Sequence, residues 1–294
     1  MTPKIELHVH FEGTARAEST PDFTDLAGFL RVWDALTDRI RTAEDARRIV
    51  LAYAAEAARH GAVYVEGIFA CSAAVAAGHG ADLFAGYCDG AAEATERSGV
   101  TVRLTPDVDR GLPATAAEAV RLAVAHADRG VVGIGLGGDE TARPAAAFDR
   151  AIRAARDGGL GFVPHAGESG GPAAVRDVLP YAPERIRHGV GAARDPGLLA
   201  ELAGRGTVLD VCLTSNARLG VVPSVAAHPL PALAAAGVRC TVNTDDPGIL
   251  GTDLAREHAL AESLGYPSEA AYAAGVAGAL CDATTRLRLL SGHR

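Results

Sequence analysis

An eightfold alternation limits what this chain can fold into more than any other feature. Short strand-like apolar runs cover 4–11, 62–70, 100–108, 131–138, 161–168, 185–190, 208–214 and 239–246. Between them lie Ala-, Arg- and Glu-rich stretches with helical periodicity, as over 43–58, 114–127, 145–155 and 231–236. Gly61, Gly99, Gly130, Gly159 and Gly237 stand just before the next strand, where a helix C-cap needs glycine. Eight alternating βα units with no linker-like composition between them predict one domain over 1–294, a closed parallel (β/α)8 TIM barrel. The length fits, since such barrels commonly run to about 250 residues. Two segments exceed the simple alternation. One, 18–40, carries Phe23, Leu26, Phe29, Leu30 and Trp33 at helical spacing and reads either as a lid or pocket wall over the strand ends or, equally, as an ordinary packed helix. The other, 252–290, adds helices after the last strand.

Composition narrows the function. A net charge of -8 with no basic stripe argues against nucleic acid as a partner, because binding it requires neutralising phosphates. Lys4 is the only lysine, which removes Schiff-base and P-loop chemistry everywhere else. The five cysteines (Cys71, Cys88, Cys212, Cys240, Cys281) are odd in number, widely spaced and set in apolar surroundings, so they read as buried thiols in a reducing compartment. There is no uninterrupted apolar run of about 18 residues for a membrane span. Met1 leads almost directly into Ile5-Glu6-Leu7 without a basic-plus-apolar leader, so a cytoplasmic protein is expected. Nothing in the sequence sets an oligomeric state.

In a barrel of this kind the chemistry lies at the C-terminal ends of the strands. The first run ends Leu7-His8-Val9-His10, and side chains two apart on a strand share a side, so both imidazoles can face the axis. The fifth brings His165-Ala166-Gly167-Glu168 and the eighth ends Asn243-Thr244-Asp245-Asp246-Pro247. Three imidazoles and one carboxylate suit Zn²⁺ with a position left for water. Two adjacent carboxylates on an apolar strand also need a cation or a protonated partner. Barrel hydrolases with His-x-His often hold a second metal through a carboxylated lysine on strand four, but 131–140 contains none, so one metal ion is expected. That stretch also matches G-x-G-x-x-G at Gly133, Gly135 and Gly138. The glycines lie within the strand rather than opening a helix, so they read as a wall where a flat ligand approaches the backbone. His188, ending the sixth run, is placed to orient or deprotonate a water. The run from Cys212 to Asn216 reads as structural support.

Together these motifs resemble the adenosine/adenine deaminase family of the amidohydrolase superfamily: Lys-Ile-Glu-Leu-His-Val-His-Phe-Glu-Gly (4–13), Gly-Leu-Gly-Gly-Asp-Glu (135–140), His-Ala-Gly-Glu (165–168), Arg-His-Gly (187–189), Thr-Ser-Asn (214–216) and Asn-Thr-Asp-Asp-Pro (243–247). The resemblance implies that His8, His10, His165 and Asp245 bind zinc and that Glu168 protonates purine N1. It implies that His188 is the base orienting the attacking hydroxide, that Asp246 meets N7, and that the Gly138 backbone meets N3. Catalysis is thus assigned to Glu168, His188 and Asp245. Substrate contacts are assigned to His10, Glu12, Gly138, Asp246, Phe29, Leu30, Trp33 and Arg187. Three departures from the family pattern stand out. Glu12 replaces the Asp that meets ribose in adenosine deaminases, the region between Gly13 and Phe23 is short by roughly a helix, and Arg187 stands where a small residue is usual. The last puts a cation close to His188, where it would lower that imidazole's pKa or meet an anionic substrate group.

The implied function is zinc-dependent hydrolytic deamination of a 6-aminopurine, adenosine or a 5'-modified adenosine first, with adenine or an N6-substituted purine as the alternative. The reading from a different class, a catalytically silent barrel that binds or regulates, needs a missing ligand or acid. None is missing.

Overall fold

The computed structural model describes residues 2–15, 23 and 26–292, without the side chains of Leu26, Ala27, Leu30 and Asp34. Ten strand segments carry the alternation: β1 Lys4–His10, β2 Ala62–Ile68, β3 Thr101–Leu104, β4 Asp107–Asp109, β5 Gly133–Gly137, β6 Gly161–Phe162, β7 His165–Ala166, β8 Arg185–His188, β9 Val208–Val211 and β10 Arg239–Val242. Two of the eight expected strands are each interrupted at a proline. Pro106 separates β3 from β4, and Pro164 separates β6 from β7, because proline has no N–H to give the ladder. The carbonyls of both prolines still accept from the neighbouring strand, Pro106 from Gly135 N at 2.9 Å and Pro164 from Arg187 N at 2.9 Å.

All pairings are parallel, in the orders β1-β2-β3, β4-β5-β6 and β10-β9-β8-β7. Parallel bridges Leu104–Val131 and Val9–Asp245 join across the gaps. At the second, His10 N donates to Asp245 O (2.8 Å) and Asp245 N to His8 O (3.0 Å), so the end of the first strand meets the end of the last. This is a (β/α)8 barrel.

The helices read as amphipathic form as such: Ala43–Arg59 with a Thr42/Asp45 capping box, Ala116–Ala125, Asp149–Asp157 and Leu230–Ala235. Gly61, Gly99, Gly130, Gly159 and Gly237 all take positive φ (71–100°), the left-handed turn that ends a helix before the next strand. The additions also form. Helix Leu26–Thr37 follows β1, while Leu254–Ser263, Ser268–Gly278 and Ala283–Leu290 follow β10. Residues 16–22, most of the short region between Gly13 and Phe23, lie outside the described part. Among the described residues no helix is long and apolar enough to cross a membrane.

The main apolar core fills the layer between strands and helices, from Val9 and Phe11 through Leu136 and Ile186 to Val242. The barrel interior itself is charged. Fully buried Arg185 donates Nε to Asp210 Oδ2 (2.9 Å), Nη2 to Glu66 Oε2 (2.7 Å) and Nη1 to Gly278 O (2.7 Å). Burying ions is favourable only where each finds partners, and this network supplies them. Cys71, Cys88, Cys212 and Cys240 are buried free thiols as expected, while Cys281 is half-buried.

Candidate active site

Strand alternation brings His8 and His10 to one side of β1, β7 supplies His165, and Asp245 follows β10. Their donor atoms converge. His8 Nε2 lies 3.3 Å and His10 Nε2 3.5 Å from Asp245 Oδ1, and His10 Nε2 lies 3.3 Å from His165 Nε2. Tetrahedral Zn²⁺ with ligands at about 2.0–2.1 Å has edges of about 3.3 Å, so the set fits that ion. Two further observations agree. His8 Nε2 is buried without a hydrogen-bond partner, whereas its Nδ1 lies 3.3 Å from the carbonyl of Asp210. Donation to that carbonyl places the hydrogen on Nδ1 and leaves Nε2 free to ligate.

Burial opposes ionisation of Asp245, but the imidazoles of His8, His188 and His10 outweigh it and hold the carboxyl well below its usual range. Asp246 goes the other way. Burial and the adjacent Asp245 carboxylate raise it well above the ordinary value, and its Oδ1 has no hydrogen-bond partner. Burial raises Glu168 to about 7, opposed by the His188 ring and reinforced by Asp245 and Glu140. His188 Nε2 lies 3.6 Å from Glu168 Oε2 and 3.8 Å from Asp245 Oδ2. Among the described residues three non-glycines have positive φ, and two of them, His188 (59°) and Asp245 (63°), are here. Strained backbone of this kind gathers at functional sites.

These groups open on a cavity of about 160 Å³. Its lining includes His10, His165, Glu168, His188, Asp245 and Asp246, with Gly137 and Gly138 and with Phe29 and Trp33 of helix Leu26–Thr37. The Leu30 side chain lies outside the described part.

Two expected substrate contacts sit elsewhere. The Arg187 guanidinium, fully buried, pairs with Asp107 and donates Nη2 to Thr105 Oγ1 at 2.8 Å, so its charge is taken up inside the protein and it does not line the cavity. Glu12 Oε1 accepts from Ala70 N (2.9 Å) and Tyr87 Oη (3.1 Å), which turns the side chain into a second cavity of about 310 Å³. That cavity adjoins the first at Ala70 and Ala73 and holds Asp38, Arg41 and His79. Burial raises Glu12 to about 7, and its Oε2 is unpartnered. The glycine wall also differs in part. A side chain at Gly135 would overlap the Asp107 carboxylate and the Arg187 guanidinium, so that glycine makes room for an ion pair, and Gly133 packs against Leu280 and Gly161, whereas Gly137 and Gly138 line the cavity.

Two supporting residues were not singled out from the sequence. Asp107 Oδ2 lies 3.2 Å from His165 Nδ1, a charge contact short of hydrogen-bond alignment, on the nitrogen opposite the one facing the ligand set. Its place just past Pro106 on an interrupted strand end was the available signal. Glu140 accepts backbone N–H bonds from Gly167 (3.0 Å), Glu168 (2.9 Å) and Gly170 (2.8 Å), fixing the turn that carries Glu168. The Asp-Glu after the glycine run was visible, but which loop it holds was not.

The family model for adenosine deaminase matches residues 17–293, and the chain belongs to that family. It is a metal-dependent hydrolase that hydrolytically deaminates an aminopurine. It is 47% identical to an aminodeoxyfutalosine deaminase of Acidothermus cellulolyticus, covering 95% of this chain and 88% of that one. To an adenine deaminase of Rhizobium leguminosarum bv. trifolii it is 37% identical, covering 98% of each. A crystal structure of an amidohydrolase from Burkholderia ambifaria with bound Zn superposes with a TM-score of 0.86 at 28% identity, covering 98% of this chain and 88% of that one.

Proposed function

We propose that the chain holds a single Zn²⁺ on His8, His10, His165 and Asp245 and deaminates an adenosine extended at its 5' carbon, aminodeoxyfutalosine being the first candidate. The observation that carries this reading is the second cavity next to the first, beside the 47% identity to an aminodeoxyfutalosine deaminase. A purine seated against Gly137 and Gly138 leaves the rest of a nucleoside to run past Ala70 and Ala73 into it. Adenine is the second reading, favoured by the 37% identical relative and by Glu12, whose bonds to Ala70 and Tyr87 keep it out of the first cavity.

Bound zinc supplies Lewis acidity, lowering the pKa of water toward neutrality. The protein's own groups do the rest. Glu168, raised to about 7, is protonated for a substantial fraction near neutrality and delivers its proton to ring N1. Protonated Asp246 donates to N7, and the Gly138 backbone meets N3. With the ring held this way, water adds its oxygen at C6; one of its protons passes to the site carboxylates and replaces the one Glu168 gave to N1, and the other leaves with the amino group as ammonia, so the amine is exchanged for a carbonyl without any change of oxidation state.

The test is a panel of aminodeoxyfutalosine, adenosine, adenine and N6-methyladenine with zinc-loaded enzyme, followed by absorbance and mass spectrometry. The largest kcat/KM is expected for aminodeoxyfutalosine, and a preference for adenine would overturn the nucleoside reading. Glu168→Gln is expected to keep its metal and lose turnover; unchanged activity would remove Glu168 from its role.

A further inference from the structure

Behind His188 a chain of buried polar groups runs away from the cavity. His188 Nδ1 lies 3.1 Å from Asn216 Nδ2, Asn216 Oδ1 lies 3.1 Å from His228 Nε2, and the backbone N–H of Leu230 donates to His228 Nδ1 at 3.1 Å. His188, Asn216 and His228 are 1%, 0% and 4% exposed, so these groups depend on one another rather than on solvent. Three segments meet here: the end of β8, the helix Leu213–Arg218 that follows β9, and the turn before Leu230–Ala235.

The last link gives the whole chain a direction. A backbone amide only donates, so His228 Nδ1 must offer a lone pair. Burial, with the His188 ring adding to it, lowers His228 to about 4, so the ring is neutral and carries its one hydrogen on Nε2. That hydrogen goes to Asn216 Oδ1. The amide is thereby oriented with its NH₂ toward His188 Nδ1, which accepts. The reverse amide orientation would set NH₂ against the His228 N–H, leaving two donors face to face in a dry site. With Nδ1 accepting, the ring hydrogen of His188 sits on Nε2, the nitrogen that lies nearest Glu168 and Asp245.

We propose that Asn216 and His228 are positioning residues that lock His188 in the Nε2–H tautomer, so that it serves deamination by donating a hydrogen bond to the attacking oxygen rather than by taking its proton. For Nε2 to accept a proton, the ring hydrogen would have to sit on Nδ1 and meet the amide hydrogens of Asn216. Turning the amide over would then break its bond with His228. The lock is a property of the fold; its part in catalysis rests on the deaminase reading above.

Two measurements on the zinc-loaded enzyme separate these. With 15N-labelled histidine, ring-nitrogen spectra assigned by the signal lost in His188→Gln are expected to show a protonated Nε2 and a bare Nδ1. Asn216→Asp, which can only accept, is expected to move the hydrogen to Nδ1. It should also lower kcat about 10–100-fold with KM within about twofold, at unchanged metal content. His228→Leu should lower kcat similarly, while His228→Gln, which keeps an N–H toward Asn216, should restore most of it. An Nδ1–H signal in the wild type overturns the lock, and wild-type kcat in Asn216→Asp overturns its role. An Nε2–H signal with no turnover of any aminopurine would overturn the deaminase reading alone.

Discussion

At the scale of single residues, burial sets what each titratable group in this protein does. The same desolvation that raises Glu168 to about 7 keeps a histidine away from the candidate site uncharged. His258 is an example: buried, with Nδ1 3.0 Å from Ser268 Oγ and Nε2 unpartnered, it is lowered to about 3 by burial, with Lys4 adding to the effect. Unfolded, it titrates near 6.5. Between those values the unfolded chain binds a proton that the folded one does not, so stability is lost as pH falls from 6.5 toward 3. His258→Asn keeps a partner for Ser268. Its unfolding free energy is expected to depend less on pH across that window, by up to about 1.4 kcal/mol per pH unit, measured by denaturant titration at fixed metal loading. An unchanged slope would mean that His258 is not the group responsible.

At the scale of elements, β5 shows how a glycine-rich strand can serve a neighbour. Gly135 leaves out a side chain so that Asp107 from β4 and Arg187 from β8 can pair inside the barrel, and Asp107 in turn faces the ring of His165. Gly135→Ala should therefore do two things at once. Overpacking is expected to cost roughly 1–3 kcal/mol of stability, read by thermal melting. Displacement of Asp107 should weaken zinc binding by about tenfold, read by chelator competition. Loss of stability with unchanged zinc affinity would show that Asp107 does not support His165. The β5 glycines were visible in the sequence; of the three read as a flat-ligand wall, Gly138 lines the cavity, while Gly133 faces Leu280 and Gly135 the Asp107–Arg187 pair. Gly135 was misplaced because the residues that fill its space come from strands about 30 and 50 positions away in the chain, which no local pattern reports.

For the molecule as a whole, the proposed ligand set draws on the first, fifth and last strands of the barrel, so metal loading and barrel stability should be coupled. Zinc at about a hundred times its Kd adds about 2.7 kcal/mol to the folded state. Stripping it with a chelator should lower the melting temperature by roughly 5 °C or more, restored by added zinc. A melting curve indifferent to chelator would argue that these four side chains do not hold a metal. Acid should mimic the chelator, because three of the ligands are imidazoles that bind zinc only when unprotonated.

Much of the barrel and the reactive cluster followed from the sequence alone, because both rest on short-range regularities. The strand period sets His8 and His10 on one side, five helix-ending glycines mark returns to the barrel, and polar residues after an apolar run fall at the strand ends where such folds do chemistry. The supporting partners were decided only by tertiary structure. Arg187 meeting Asp107 instead of a ligand, Glu12 turning toward Tyr87, and Leu230 setting the hydrogen on His188 through His228 and Asn216 all join groups far apart in the chain. Each is settled by which buried donor finds which acceptor once the barrel has closed, and that complementarity is a property of the packed interior rather than of any one segment.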